Sequence, residues 1–338
     1  MGGGKIAFFE VSEWEKEKLS RVALENARIK QFTECAQIPV SQETVDCDVL
    51  SVFIYSRVTD AVLEQFKNLK LIATRSTGYD HIDLEACAKK NIAVCNVPTY
   101  GENTVAEHTF ALIFSLSRNV HKAVMRTLSG KFHFEGLCGF DLRGKTLGVV
   151  GTGNIGLHVI KIAKGIGMRV LACDVVEKPF LAEVLSYEYA TFEDVLSRSD
   201  ILTLHAPYLP STHHMINKDN VKKIKKGALL INTSRGGLVD TQALLFALET
   251  GILSGAGLDV LEGEDLIRDE REVLSSKFSE EKLKLLVENH VLMKRDDVII
   301  TPHIGFYSEE ALQRILDVTV ENVESFLRGA PKNLVRFS

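Results

Sequence analysis

Thr146-Leu147-Gly148-Val149-Val150-Gly151-Thr152-Gly153-Asn154-Ile155-Gly156 is the stretch on which the fold turns. A short apolar run rich in β-branched residues enters a G-x-G-x-x-G turn, and a helix-periodic stretch opens at Ile155. β-Branched side chains suit a buried strand, and the periodic run after the glycines suits a helix. In that setting each glycine has a task. Gly151 makes the tight turn, Gly153 lets a pyrophosphate approach the backbone, and Gly156 permits helix and strand to pack closely. The helix N-terminus offers free N–H groups and the positive end of its dipole to the phosphates. The next strand candidate ends at Asp174, 18 residues past Gly156. An acid there accepts hydrogen bonds from the adenine-ribose hydroxyls and repels a 2′-phosphate, which favours NADH over NADPH.

Six strand candidates follow one another from this point: Thr146–Val150, Arg169–Cys173, Ile201–His205, Ala228–Asn232, Ala256–Val260 and Val298–Thr301. Helix-length connections separate them, so the pairing is parallel, and six such strands match a complete dinucleotide-binding domain. Upstream, Ile6–Phe9, Val49–Tyr55, Leu69–Thr74 and Ile92–Cys95 read as strands, with helical segments near 59–66 and 82–90. Ser12-x-x-Glu15 is a capping box that opens a helix. Asn103 to about Leu128 reads as one long helix. The last stretch, Ser308 to Leu327, is a single amphipathic helix with no strand left to follow it, so it packs back on the N-terminal region. The expected architecture is α/β, with two doubly wound parallel-sheet domains. A Rossmann domain at 102–303 is inserted in a smaller flavodoxin-like domain made of 1–101 and 304–338. The charged segment Glu262–Asp297 reads as an elaborated loop with a helical pattern around Lys282–Val287.

Composition narrows the function class. The chain has 338 residues, 45% hydrophobic and 25% charged, with a formal net charge of −5. That balance disfavours a nucleic-acid partner and an anionic membrane surface. No apolar stretch reaches membrane-spanning length and no secretory pattern opens the chain, so a cytoplasmic protein is expected. Met1-Gly2-Gly3-Gly4 lacks the Ser or Thr that myristoylation wants, because Ile6 occupies that place, and it reads as a flexible start. Cys35, Cys47, Cys87, Cys95, Cys138 and Cys173 form no C-x-x-C pair, and the histidines show no ligand spacing, so neither disulfides nor a metal is expected. His213 and His214 are adjacent in a polar loop, where diverging, solvated rings are expected.

Three polar groups fall just past the ends of late strands, where open parallel sheets bind their ligands. Asn232-Thr233-Ser234-Arg235-Gly236 follows the fourth, Asp259 with Glu262 and Glu264 follows the fifth, and Thr301-Pro302-His303-Ile304-Gly305 follows the sixth. Arg235 offers a planar fork for a carboxylate. The imidazole of His303 can give a proton to a forming alkoxide and take it back. A carboxylate beside the other ring nitrogen orients the imidazole and favours its acid form. Glu264 suits that role, although Glu262 is a near neighbour in the same acidic loop.

With these motifs in order, the chain resembles the D-2-hydroxyacid dehydrogenases over nearly its whole length. Carrying the resemblance are Arg75-Ser76-Thr77-Gly78-Tyr79-Asp80-His81-Ile82-Asp83, Asn96-Val97-Pro98-Thr99-Tyr100, Val105-Ala106-Glu107-His108, the turn at Gly151, Asn232 to Gly237, Gly257-Leu258-Asp259-Val260 and Thr301-Pro302-His303. It implies NAD as cofactor, a small 2-oxo or 2-hydroxy acid as substrate, a homodimer, and a triad at Arg235, Glu264 and His303. It implies cofactor contacts at Val105, Gly151, Gly153, Asn154, Ile155, Gly156, Asp174, Ala206, Pro207, Thr212, Thr233, Ser234, Arg235, Asp259 and His303. Thr77 and Gly78 would hold the substrate carboxylate through their backbone. Thr77 stands where a valine is more usual, and its hydroxyl is expected near that carboxylate. The D-lactate dehydrogenase branch is the nearer likeness, through Tyr100, Phe306-Tyr307 and the long segment after Glu264. Tyr55, Tyr100 and Tyr307 would close a small pocket suited to pyruvate. Reduction of glyoxylate, hydroxypyruvate or a bulkier 2-oxo acid is the same-class alternative. A corepressor-like protein that binds NADH without turnover is the alternative of another class.

Overall fold

The computed structural model describes residues 4–21, 28–36, 42–268 and 279–336. Met1-Gly2-Gly3 and the middle of the charged segment, 269–278, lie outside the described residues. The chain divides into two units, Met1–Tyr100 with Ser308–Ser338, and Gly101–Tyr307.

The first unit is built on β1 (Lys5–Phe8), α1 (Glu13–Arg21), β2 (Arg28–Gln31), β3 (Val49–Val52), α2 (Asp60–Leu63), β4 (Leu71–Thr74), α3 (Leu84–Lys89) and β5 (Ala93–Cys95). All its strand pairs are parallel, in the order β2-β1-β3-β4-β5, the flavodoxin-like order. The period of two along each strand sorts the core. Ala7, Leu50, Val52, Ile72 and Val94 face one side with Val62, Leu63 and Cys87. Ile6, Phe8, Val49, Leu71 and Ala73 face the other, where Leu316 and Val323 of the helix Glu309–Leu327 cover them. The last helix therefore completes this unit, as expected from the absence of a further strand. β2 was not anticipated. It is an edge strand of sequence Arg-Ile-Lys-Gln, and its single neighbour asks for no apolar run.

The second unit runs through α4 (Glu102–Ser117), α5 (Val120–Leu128), β6 (Thr146–Val150), α6 (Asn154–Gly165), β7 (Arg169–Cys173), α7 (Pro179–Leu185), β8 (Glu188–Tyr189), α8 (Phe192–Arg198), β9 (Ile201–Leu204), β10 (Ala228–Asn232), α9 (Thr241–Glu249), β11 (Leu253–Leu258), α10 (Glu264–Arg268), α11 (Glu280–Met293) and β12 (Val298–Ile300). Its sheet has seven strands in the order β12-β11-β10-β9-β6-β7-β8, all pairs parallel. Six were expected. The addition is β8, a two-residue edge strand with no apolar run to announce it. Leu147, Val149, Ile201, Leu229 and Ile231 bury against α4 and α6, while Leu202, Leu204, Leu230 and Leu258 bury against α8 and α9. The unit ends at Tyr307 rather than 303, because the amides of Ile304 and Gly305 are bonded to Asp259.

The long helix expected from Asn103 is broken. Asn119 takes a left-handed conformation (φ +51°) between α4 and α5, and its amide nitrogen donates to the Cys138 carbonyl at 3.1 Å. The helical period runs on across the break, which is why the sequence hides it. Four of the cysteines, Cys47, Cys87, Cys95 and Cys173, are held protonated by burial, which pushes their thiols up to about 11 or 12, while Cys138 is exposed. No helix among the described residues is long and apolar enough to cross a membrane.

Arg75, at the end of β4, is only 1% exposed. Its Nε lies 3.1 Å from Glu15 Oε1, and its Nη2 donates to the carbonyls of Phe9 and Glu10 at 2.6 and 2.9 Å. Glu15 Oε2 also accepts from Ser12 N and Oγ at 2.8 Å, the reach-back half of the capping box. Glu15→Ala should strand a buried guanidinium and destabilise the first unit by about 3–5 kcal/mol. Trp14, the one tryptophan in the chain, reports that unit. Its fluorescence in urea should show a lower midpoint, and an unchanged midpoint would refute the pairing energy.

Candidate active site

The glycine turn is built as its spacing demands. Gly151 has φ +96°, and a Cβ there would lie 2.7 Å from the backbone of His205. A Cβ on Gly156 would fall 2.1 Å from the carbonyl oxygen of Gly151, so this glycine packs against the turn more than against the strand. At Gly153 a Cβ would meet nothing within 4 Å. Room therefore stands open over the first turn of α6, which has no side-chain cap on its amides. That is the surrounding a pyrophosphate needs. Asn154 and Ile155 open the helix at this place.

Asp174, at the end of β7, accepts from Thr152 N at 2.6 Å, Thr152 Oγ1 at 3.0 Å and Val176 N at 3.0 Å. Burial pushes its carboxyl up, but the bonds from Val176 and Thr152 outweigh it and hold the group below the usual range. The carboxylate is thus charged and fixed in place.

On the other side of β6, Thr212 Oγ1 donates to the Pro207 carbonyl at 2.7 Å and accepts from Leu209 N at 2.8 Å. Ser234 Oγ donates to the Ala206 carbonyl at 2.7 Å, and Thr233 Oγ1 lies 2.9 Å from Thr109 Oγ1, whose hydroxyl also donates to the Val105 carbonyl at 2.8 Å. These hydroxyls fix the shape of the loop that carries Ala206 and Pro207 and tie it to the first turns of α4, where Val105 lies.

At the sheet's carboxyl edge, His303 Nδ1 stands 2.9 Å from Glu264 Oε1. His303 is itself left-handed (φ +55°), a region costly for a residue with a Cβ but tolerated by histidine more than by most. Asp259 holds it there. Its carbonyl accepts from His303 N at 2.9 Å, its Oδ1 accepts from Thr301 Oγ1 at 2.5 Å and Ile304 N at 2.9 Å, and its Oδ2 accepts from Gly305 N at 2.7 Å. His108 Nε2, on α4, adds a contact at 3.3 Å. Burial raises the Asp259 carboxyl, yet the bonds from His108, Thr301 and Gly305 outweigh it and hold the group anionic. Asp259 N donates to the Asn232 carbonyl at 2.9 Å, and Asn232 Nδ2 donates to the Arg235 carbonyl at 2.8 Å, so the arginine and histidine turns share one support. A Cβ on Gly236 would lie 2.0 Å from the backbone of Leu261, which shows how tightly the Arg235 turn is pressed on the loop leading to Glu264.

Glu262 is committed elsewhere. Its Oε1 lies 2.6 Å from His214 Nε2 and its Oε2 accepts from Thr241 Oγ1 at 3.0 Å. The expectation of diverging rings is overturned, while His213 remains exposed and His214 half-buried. The His213 and His214 rings stack at 3.8 Å, because His214 adopts φ +49° and turns its side chain back over its neighbour. The supporting contacts of His108, His214 and Thr301 escaped the sequence reading, although the residues stand in motifs named above. For His108 a signal existed, since it lies one turn after Thr104 and Val105 on the same helix.

In the first unit, Thr77 Oγ1 donates to the Val97 carbonyl at 2.8 Å, so its hydroxyl is taken up by the backbone. Asn96 Nδ2 donates to the Thr77 carbonyl and Ser76 Oγ to that of Gly78, which fixes the 76–78 turn. Tyr55 is 39% exposed, and the Tyr100 carbonyl accepts from Arg314 Nε at 2.6 Å. Tyr307 belongs to the second unit, is 59% exposed and packs edge-on against Phe306 at 5.8 Å.

Comparison with known proteins gives one consistent result. Residues 110–305 match the family described as D-isomer specific 2-hydroxyacid dehydrogenase, NAD binding domain. The chain is 33% identical to D-lactate dehydrogenase of Escherichia coli, over 98% of this chain and 100% of that one. It is 36% identical to glyoxylate reductase of Thermococcus litoralis, over 86% and 84%. The crystal structure of D-lactate dehydrogenase from Aquifex aeolicus complexed with NAD and lactic acid superimposes with a TM-score of 0.87 at 36% identity, covering 98% of this chain and 99% of that one.

Asp259→Asn should displace the His303 turn, because an amide cannot accept from the whole set of donors around it. Turnover should fall about 100-fold, the cost of a misplacement near 1 Å. Dinucleotide affinity by fluorescence titration should change far less, and an equal loss in both would make Asp259 a cofactor contact instead of a support. Asp174→Ala should narrow the preference for NADH over NADPH, and unchanged discrimination would remove it from the ribose site.

Proposed function

The chain belongs to the D-isomer specific 2-hydroxyacid dehydrogenases, NAD-dependent oxidoreductases, and from that premise we propose that it interconverts pyruvate and D-lactate. NADH, when bound, supplies the hydride that the 2-oxo carbon receives. The glycine turn and Asp174 suit that cofactor, for the open space at Gly153 and the anionic acid match its pyrophosphate and its ribose.

The observation that carries the reading is the 2.9 Å contact between His303 Nδ1 and Glu264. With Nδ1 directed at a carboxylate, Nε2 is left to hold the exchangeable proton. In reduction His303 gives that proton to the carbonyl oxygen, and in oxidation it takes the hydroxyl proton back. Arg235 holds the substrate carboxylate and polarises the adjacent carbonyl. Thr77 and Gly78 offer backbone groups suited to a substrate carboxylate, and the family likeness assigns Tyr55, Tyr100 and Tyr307 to limiting the size of the substituent. Likeness to two D-lactate dehydrogenases supports pyruvate, and likeness to a glyoxylate reductase makes glyoxylate the necessary comparison.

A homodimer fits the second unit. α5 has no buried residue and exposes Val120, Val124, Met125 and Leu128, followed by Phe132 at 95% and Phe134 at 81% exposure. Apolar area on that scale marks an interaction face.

A panel of 2-oxo acids followed by NADH absorbance, with chiral analysis of the product, tests the substrate. Pyruvate should give the highest kcat/KM and the D product, and a higher value for glyoxylate or a bulkier acid would displace it. His303→Ala should lower kcat by about 100- to 10,000-fold and leave NADH binding intact. Near-normal turnover would end its role as proton donor. Met125→Asp with Leu128→Asp should move the mass in solution from a dimer to the 37.5 kDa protomer. A monomeric parent protein would overturn the dimer.

A further inference from the structure

Glu10, two residues past β1, has φ +55°. A side chain held there is strained, and the surroundings must hold it in place. Its backbone is held at both ends, with Glu10 N donating to the Glu34 carbonyl at 3.0 Å and its own carbonyl accepting from the buried Arg75 at 2.9 Å. The outcome is to aim one carboxylate at the loop after β3. Oε2 accepts from Phe53 N at 2.8 Å, Ser56 N at 3.2 Å and Ser56 Oγ at 2.5 Å, and Oε1 accepts from Tyr55 N at 2.8 Å. Ser56 Oγ in turn accepts from Ala36 N at 2.9 Å. Amide bonds to a carboxylate are charge-assisted and about twice as strong as neutral ones. Three of them, with the bond from the Ser56 hydroxyl, on one four-residue loop leave it little freedom. The Phe53 ring lies 5.9 Å from the Arg75 guanidinium and meets Tyr55 edge-on at 6.0 Å. Arg75 runs directly into Ser76-Thr77-Gly78, so the loops after β3 and β4 are referenced to one Glu10–Arg75 group.

We propose that Glu10 is a positioning residue for substrate selectivity, its carboxylate clamping the Phe53–Ser56 loop so that Tyr55 is kept at a fixed place against the substrate's substituent. This rests on Tyr55 contacting the substrate. Glu10 acts through the loop, to which its carboxylate is bonded. Released from the clamp, the loop gives way to larger substituents and holds small ones less well. The chemical step, carried by residues of the other unit, is left as it was.

Glu10→Gly is the informative variant, since glycine adopts the left-handed backbone without strain and only the carboxylate is lost. The ratio of kcat/KM for pyruvate to that for phenylpyruvate should fall about tenfold, mainly through a raised KM for pyruvate. Glu10→Gln, which keeps the length but turns a donor toward the amides, should move the ratio the same way. A uniform loss of kcat on both acids, with the ratio kept, would mean a merely structural role and overturn the clamp. Tyr55→Ala separates the two readings. A ratio that moves in Tyr55→Ala but not at Glu10 overturns the clamp alone, and one that moves in neither removes Tyr55 from the substrate as well. Amide exchange at Phe53, Tyr55 and Ser56 needs no substrate and should accelerate about tenfold in Glu10→Gly. Unaltered exchange overturns the clamp whichever 2-oxo acid proves to be preferred.

Discussion

The buried carboxylate of Asp259 is the constraint on which the site depends. A charge at 2% exposure survives only if its lone pairs are met, and here they are met by the turn that carries His303. The exchange is reciprocal. The turn needs an acceptor for amides that no strand supplies, and the left-handed histidine needs a neighbour that over-determines it. His108 ties the same carboxylate to α4, and Asn232 ties its backbone to the Arg235 turn. Charge burial and catalytic geometry are thus one problem with one solution.

What was legible in the sequence follows from how strictly the backbone dictates residue type. Gly151 and Gly156 sit where a Cβ would strike main chain, so no other residue serves, and the strand–turn–helix around them reads directly. Central strands buried on both faces need apolar runs, and they were found with small errors at their ends. β2 and β8 were not, because an edge strand has one neighbour and tolerates charge. The break at Asn119 was invisible for another reason: helical periodicity resumes on its far side.

Side-chain pairing was legible only in part. Glu262 and Glu264 stand two apart in one loop, and composition cannot tell which reaches His303. The choice is made from outside the loop, where His214, in a conformation its sequence does not announce, claims Glu262. Thr77 gives the same lesson. Its hydroxyl looked available to a substrate, and a carbonyl twenty residues away takes it. Chemistry at strand ends can be inferred from residue types in order, but the assignment of partners belongs to the three-dimensional packing.

The helix Glu309–Leu327 gives the protein a history as well as a shape. Ile6, Phe8, Val49 and Leu71 share their cover between Val11 and Leu19, close by in sequence, and Leu316 and Val323, some 300 residues later in the chain. During synthesis, when a chain emerges at about 5–20 residues per second, the first unit waits with one face of its sheet only partly covered while the whole second unit is made. The dinucleotide domain, contiguous in sequence, can close first, and the unit begun first is finished last. In the interval that apolar face is a natural substrate for chaperones, and truncation within the final helix would leave it open for good.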